Sequence, residues 1–175
     1  MLETDILIRH ETAGDYESIT QINNAAFGQK NEGLLVENLR KTTLFNPQLS
    51  LVAEYNSQLI GYILFYPVKI KNDYFEFESL ALAPMSVLPE FQNKGIGGIL
   101  INQGLNAAKE LGHKSVIVLG HAEYYPKFGF EPASKWGIKP PFPVENIYFM
   151  AQELVPKALD NTGGVVVYPD EFNDV

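Results

Sequence analysis

The sequence predicts a single α/β domain, and three observations lead there. Apolar runs rich in strand formers alternate with stretches of helical spacing, polar turns separate the two kinds, and no composition shift marks a boundary for a second domain. A length of 175 residues suits one domain, and 46% hydrophobic with 12% aromatic residues can bury a real core. The domain is therefore expected to take in residues 1–175.

Ile6 to Arg9 reads as a short strand. Thr12-Ala13-Gly14-Asp15 then supplies turn and cap chemistry for a helix whose face carries Ile19, Ile22 and Ala26. A second helix is expected over Glu32 to Lys41. Leu51 to Tyr55 and Leu59 to Tyr66, parted by Asn56-Ser57-Gln58, read as a hairpin. Lys71-Asn72-Asp73 repeats the arrangement before an apolar run from Tyr74 to Leu88, and the aromatic set Phe65, Tyr66, Tyr74, Phe75 and Phe77 reads as sheet core. Pro89 ends that run. Helical spacing returns over Gly95 to Leu111, and Gly112 is placed to stop it. Val116 to Leu119 is a compact strand; Gly129-Phe130 and Ile147 to Met150 are expected as two more. Trp136 to Pro143 holds three prolines and two aromatics, the composition of an ordered irregular loop.

Composition removes several chemistries. The chain has no cysteine, so disulfides, thiolate metal sites and an acyl-thioester on the enzyme are excluded. His10 and His113 have no partner spacing that suggests a metal, and none is expected. Met1 to Lys30 lacks the basic start and apolar block of a secretory leader, and no run reaches the roughly twenty apolar residues needed to span a bilayer. A cytoplasmic location without membrane attachment is expected. Thirteen Lys plus Arg against 21 Asp plus Glu give a net charge of −8. That balance disfavours nucleic acid and suits a cationic small molecule or peptide.

The strongest local signal is Gln92-Asn93-Lys94-Gly95-Ile96-Gly97-Gly98, a glycine-rich turn between a strand and a helix. Such a turn gathers backbone N–H groups at the positive end of a helix, which makes an anion site. Glycines let phosphate oxygens approach, Asn93 tolerates left-handed geometry, and Lys94 can add charge at the rim. Taken alone, the pattern is also that of a tight turn with no ligand. A P-loop requires the lysine after the glycines, and the dinucleotide fingerprint requires its first glycine directly after a strand of a βαβ unit. Neither fits.

Leu82 to Leu100, with its core Val87-Leu88-Pro89-Glu90-Phe91-Gln92-Asn93-Lys94-Gly95-Ile96-Gly97, resembles the acetyl-CoA motif of the GNAT superfamily of N-acetyltransferases. Downstream, Tyr124-Tyr125-Pro126-Lys127-Phe128-Gly129-Phe130 is similar to that family's second signature, a tyrosine in a short helix before Gly-Phe. The two motifs, at 82–100 and 116–130, stand in the family's order. The likeness runs from the Ile6 strand through Glu153, and the ending Tyr168-Pro169 to Phe172 is similar to one bacterial-type branch.

The resemblance implies a central mixed, mostly antiparallel sheet flanked by helices, with acetyl-CoA as cosubstrate and direct transfer to a primary amine. It implies cofactor contacts from Met85, Val87 and Leu88 on the strand and from Gln92, Asn93, Lys94, Gly95, Gly97 and Gly98 on the turn. Two departures stand out. Asn93 occupies a position where many members have glycine, and Ala81 stands where some protein-modifying members carry an acidic base.

Direct transfer needs an acid for the departing thiolate and a route for the amine's proton. Tyr125 is the candidate acid, because a phenol near pKa ~10 stays protonated at neutral pH. Without the resemblance it would read as an aromatic packed beside Tyr124 and Phe128. Glu78, His121, Glu123 or water are the candidates for the base. The acceptor is expected to be an amine of a small molecule or peptide, and the chain is compatible with a homodimer. The alternatives are a CoA-binding sensor or interaction module without turnover, and a phosphate site for another nucleotide.

Overall fold

The structure is a computed structural model that describes residues 5–175; residues 1–4, the start of the stretch read above for a leader, lie outside the described residues. Two compact units are present. The first comprises Met1–Tyr66, Ala83–Ala107 and Asp170–Val175, and the second Pro67–Leu82 and Ala108–Pro169. Strands β3 (Gln58–Lys71) and β4 (Glu76–Val87) run through both.

In the first unit, β1 (Leu7–His10) pairs antiparallel with β2 (Ser50–Tyr55), and β2 with β3. The β2–β3 turn is two residues long, Asn56 and Ser57, both with positive φ, as a tight hairpin requires. Helix α1 (Tyr16–Phe27) is preceded by a capping box: Asp15 accepts from the Thr12 backbone N–H at 2.7 Å and hydroxyl at 2.9 Å. Gly28, at φ 69°, closes the helix.

Helix α2 (Asn31–Arg40) follows, and Leu35, Val36 and Leu39 form one core with Ile19, Ile22, Val52, Tyr62 and Leu64. Arg40 reaches a deeply buried Glu11 through two hydrogen bonds of 2.9 and 3.0 Å. Ser50 Oγ donates to the same carboxylate and contacts the Tyr62 hydroxyl, so the buried charge is fully partnered.

Helix α3 (Ile96–Glu110) buries Ile96, Leu100, Ile101 and Leu105. Gly104 lets it approach the sheet, since a Cβ there would lie 2.1 Å from the ring of buried Phe65. Alanine normally improves a helix interior by about 1 kcal/mol over glycine, but an overpacked core costs about 1–3 kcal/mol. Gly104→Ala is therefore expected to lower the free energy of unfolding, measured from the urea midpoint, by up to about 2 kcal/mol.

In the second unit, β4 and β5 (Ser115–Leu119) pair in parallel through Leu80↔Val116 and Ala81↔Ile117. Strand β8 (Phe149–Glu153) lies antiparallel between β5 and β6 (Glu131–Pro132). Strand β9 (Gly164–Val167) pairs antiparallel with β3 and parallel with β7 (Ile138–Lys139). Val68, Ile70, Ile117, Phe149 and Val166 centre this unit's core. Nine strands and three helices among the described residues give the mixed, mostly antiparallel fold the sequence implied.

Several expectations shift. Tyr74 and Phe75 are 86% and 66% exposed rather than sheet core. The cause is Asn72, whose Oδ1 accepts from both of their backbone N–H groups, each at 2.9 Å, and holds them in the turn before β4 begins. Gly129-Phe130 is not a strand. Gly129, at φ 95°, ends the 3-10 turn Tyr125–Phe128, and pairing starts one residue after Phe130. Ile147 and Tyr148 lie in another 3-10 turn, so β8 begins at Phe149. The Trp136 to Pro143 stretch is irregular only in part, because its start completes the 3-10 turn Ala133–Trp136 and Ile138–Lys139 pair with β9. No helix among the described residues is long and apolar enough to cross a membrane.

Candidate functional site

The glycine-rich turn lies wholly in the first unit. Strand β4 ends at Val87; the Leu88 N–H donates to the Ile60 carbonyl at 2.9 Å, and the Leu88 carbonyl accepts from Phe91 at 2.8 Å. Pro89–Phe91 form a 3-10 turn, whose first position suits proline because no N–H is needed there. Gln92 then folds back, its side-chain amide donating to the Val87 carbonyl at 3.0 Å. This staples the turn to the strand it leaves.

Asn93 at φ 60° and Gly95 at φ 83° are both left-handed. Alternating left- and right-handed residues curl the backbone into a concave nest for anions. The first α3 bond runs from the Ile99 N–H to the Gly95 carbonyl at 3.1 Å. The N–H groups of Ile96, Gly97 and Gly98 therefore belong to the first turn, which no intrahelical carbonyl can serve. A diphosphate fits this donor set: successive backbone N–H groups, a positive helix end, and glycine where a side chain would crowd the oxygens. Lys94 bends back, its ammonium donating to the Glu90 carbonyl at 2.8 Å and lying 5.1 Å from the Phe91 ring centre. Met85 is half-buried on β4, and Leu88 packs against the α1–α2 core.

Tyr125 belongs to the second unit and opens the 3-10 turn Tyr125–Phe128. Its backbone N–H and that of Tyr124 both donate to the His121 carbonyl, at 3.4 and 3.1 Å. Its ring makes edge contacts with Tyr124 at 5.4 Å and with Phe130 at 5.6 Å, and only 7% of the residue is exposed. Burial, seconded by Tyr124, pushes the phenol up to about 12. It is therefore protonated throughout the neutral range.

Sequence reading missed Gly120 here. A Cβ on Gly120 would lie 2.2 Å from the Tyr125 ring, so this glycine makes the room that Tyr125 occupies. No local signal marks it, because the requirement is set by a ring five residues downstream.

Glu78, on β4, and His121 and Glu123, in the turn before Tyr125, are all exposed. Burial holds His113 below the ordinary imidazole range, and Glu78 opposes that shift. Among the described residues no group of three or more His, Asp or Glu side chains could hold a metal ion.

Residues 46–132 match the family described as Acetyltransferase (GNAT) domain. The uncharacterized N-acetyltransferase YjhQ of Escherichia coli K12 is 36% identical over 162 residues, 90% of each chain. The uncharacterized N-acetyltransferase YhbS of the same strain is 30% identical over 96% of this chain and 99% of its own. The crystal structure of E. coli YhbS in complex with CoA superposes with a TM-score of 0.89 at 30% identity, covering 97% of this chain and 92% of that one. A GNAT acetyltransferase from Brucella melitensis in complex with acetyl-CoA gives 0.79 at 34% identity, over 96% and 98%. With its glycine-rich turn, its mixed sheet and near full-length relatives, the chain belongs to the GNAT family of N-acetyltransferases and is an acyltransferase.

Proposed function

We propose that this chain transfers an acetyl group from acetyl-CoA directly to a primary amine of a small molecule or peptide. The observation that carries the reading is the turn at Gln92 to Gly98, where two left-handed residues lead into a glycine-rich helix start, a backbone geometry suited to a diphosphate. The CoA and acetyl-CoA held by its two relatives support the same ligand.

Acetyl-CoA supplies an activated acetyl group. The chain holds the diphosphate with the backbone of Asn93 to Gly98, staples that turn through Gln92, and offers β4 main chain from Met85 to Leu88 to the pantetheine arm. The amine nitrogen bonds the acetyl carbon as the carbon–sulfur bond breaks. The sulfur takes the Tyr125 phenol proton; the ammonium loses one proton before attack through Glu78, His121, Glu123 or water, and the second proton, lost from nitrogen once the C–N bond has formed, returns Tyr125 to the phenol. A net charge of −8 favours a cationic acceptor. The same reading has the chain act in the cytoplasm, without nucleic acid, as a monomer or a homodimer.

Calorimetry with acetyl-CoA, CoA and ATP, followed by thiol release across polyamines, amino acids, aminoglycosides and peptides, tests this in order. Acetyl-CoA and CoA should bind at least about tenfold tighter than ATP, and at least one amine should release thiol. ATP binding as tightly would favour the nucleotide alternative. Tight CoA binding with no release across the panel would favour the sensor.

Gly120 offers a separate check on Tyr125. Gly120→Ala must displace the phenol ring. It should lower kcat by about 10-fold or more while acetyl-CoA affinity changes little, since misplacing a catalytic group by about 1 Å can cost up to 10². Unchanged kcat in a folded variant would remove Tyr125 from the mechanism.

A further inference from the structure

We propose that a second small-molecule site lies in the first unit, a polar cavity that takes a small protonated amine and tunes the adjoining cofactor turn. The cavity measures about 460 Å³ and is walled by β1, the start of α1, the β2–β3 hairpin and Leu88. That volume falls within the roughly 300–1,000 Å³ of small-molecule sites.

Its charged wall is built from three side chains. Arg9 donates through Nη1 and Nη2 to Asp15 at 2.7 and 2.9 Å, and through Nε to Glu54 Oε2 at 3.0 Å. Asp15 also holds the Thr12 backbone and hydroxyl, and the Arg9 guanidinium keeps its carboxyl well below the usual carboxylate range. Asp15 is thus committed to Arg9 and to the capping box of the 3-10 turn ahead of α1. Glu54, which lines the cavity, meets Arg9 through Oε2, so one cation stands against two carboxylates and Glu54 keeps acceptor capacity beyond that bond. An ammonium group complements that imbalance and an anion does not.

The remaining wall explains the size and polarity of the ligand. Ser18, Ser57 and Gln58 offer hydroxyl and amide groups, while Ile22, Leu59 and Leu88 are apolar. A short methylene chain ending in an amine, with or without a second hydrogen-bonding group, matches both. The wall is also held in place. Asn56 and Ser57 fix the hairpin with positive φ, and the Arg9 pairs fix the strand, so little ordering is needed on binding.

Leu88 links the cavity to the cofactor turn. Its backbone is bonded to Ile60 on one side and Phe91 on the other, directly ahead of Gln92. A ligand packed on Leu88 stiffens the residue from which the turn departs, and by linkage CoA raises affinity for the amine by the factor the amine raises affinity for CoA. The coupling rests on the turn being the CoA site; amine binding in the cavity does not.

The full-length, 15N-labelled chain is titrated separately with spermidine, agmatine and ethanolamine, without acetyl donor. The side-chain amide signals of Gln58 and Gln21 and the backbone amide of Leu88 should shift together with one of these amines. Because the readout is binding, an inactive enzyme would give the same answer. Glu54→Gln keeps an oxygen for Arg9 but removes the charge, and should weaken the amine about three- to tenfold without changing CoA affinity measured in its absence. Ser18→Trp, which fills the cavity from α1, should abolish the shifts. No coherent shift with any of the three amines at about 10 mM, a concentration that would reveal even millimolar affinity, overturns the site. So do shifts that persist unchanged in both variants. An amine that binds the cavity while CoA affinity stays constant overturns the tuning.

Discussion

Tyr125→Phe is expected to lower kcat by at least about 10² near neutral pH, within the 10²–10⁴ typical of general acid catalysis, while acetyl-CoA affinity changes little. Phenylalanine keeps the ring that packs against Phe130 and Tyr124 and removes only the proton donor. Burial sets the character of this acid. At about 12 the phenol is a weaker acid than an ordinary alkyl thiol such as cysteine, near 8.5, so its proton stays on the leaving sulfur only if the proton released by the new amide nitrogen replaces it. The phenol stays neutral below its ordinary pKa of 10 and ionises only as pH passes about 12. No loss of kcat from its deprotonation is expected up to about pH 11. The sign for stability follows the same order: the raised folded value contributes fully below pH ~10 and is lost as pH rises through about 12. Tyr124→Phe, which alters a half-buried neighbour, should lose much less activity. If both variants keep the original kcat, Tyr125 is a packing residue.

The legible parts of the fold were those decided by neighbours in sequence. Thr12 and Asp15 announce the start of α1 because a capping box is local chemistry, and the structure builds it. Gly112 stops α3 because a left-handed residue is needed there, at φ 87°. Tyr74 and Phe75 misled, since their composition is that of a strand while Asn72 spends its side chain on a turn. Phe130 misled for the opposite reason. It is buried like a strand residue, but as the packing partner of Tyr125 rather than as part of a ladder.

The candidate site divides the same way. The turn from Gln92 to Gly98 is contiguous, and its glycines, its Asn93 and the following helical spacing are visible in seven residues. The staple from Gln92 to Val87 was not foreseen, because a long polar side chain can satisfy a carbonyl or a ligand equally well. Gly120 was out of reach, since nothing in its own neighbourhood calls for a glycine until the Tyr125 ring is placed over it. Nor did sequence suggest that Arg9, Asp15 and Glu54 would meet, because the pairing joins β1, a turn and β2 across 45 residues.

Gly97→Val is expected to reduce acetyl-CoA affinity by about 10² or more, roughly 2.7 kcal/mol, while the chain remains folded. Gly97 lies in the first turn of α3, where valine is no worse a helix residue than glycine, so helix propensity adds no cost to the substitution. Its isopropyl group would stand where the diphosphate oxygens approach the backbone. Gly95→Ala is the contrasting change. A Cβ there meets nothing within 4 Å, but φ is 83°, so the cost falls on the backbone, about 1–2 kcal/mol of folding free energy for forcing an L-residue left-handed. The two variants therefore separate ligand from fold: one loses binding at nearly constant melting temperature, the other loses melting temperature first. Calorimetric titration with acetyl-CoA, run beside thermal unfolding, reads both. Unaltered affinity in a folded Gly97→Val protein would mean that the turn does not hold the diphosphate, and the cofactor would have to be sought elsewhere in the chain.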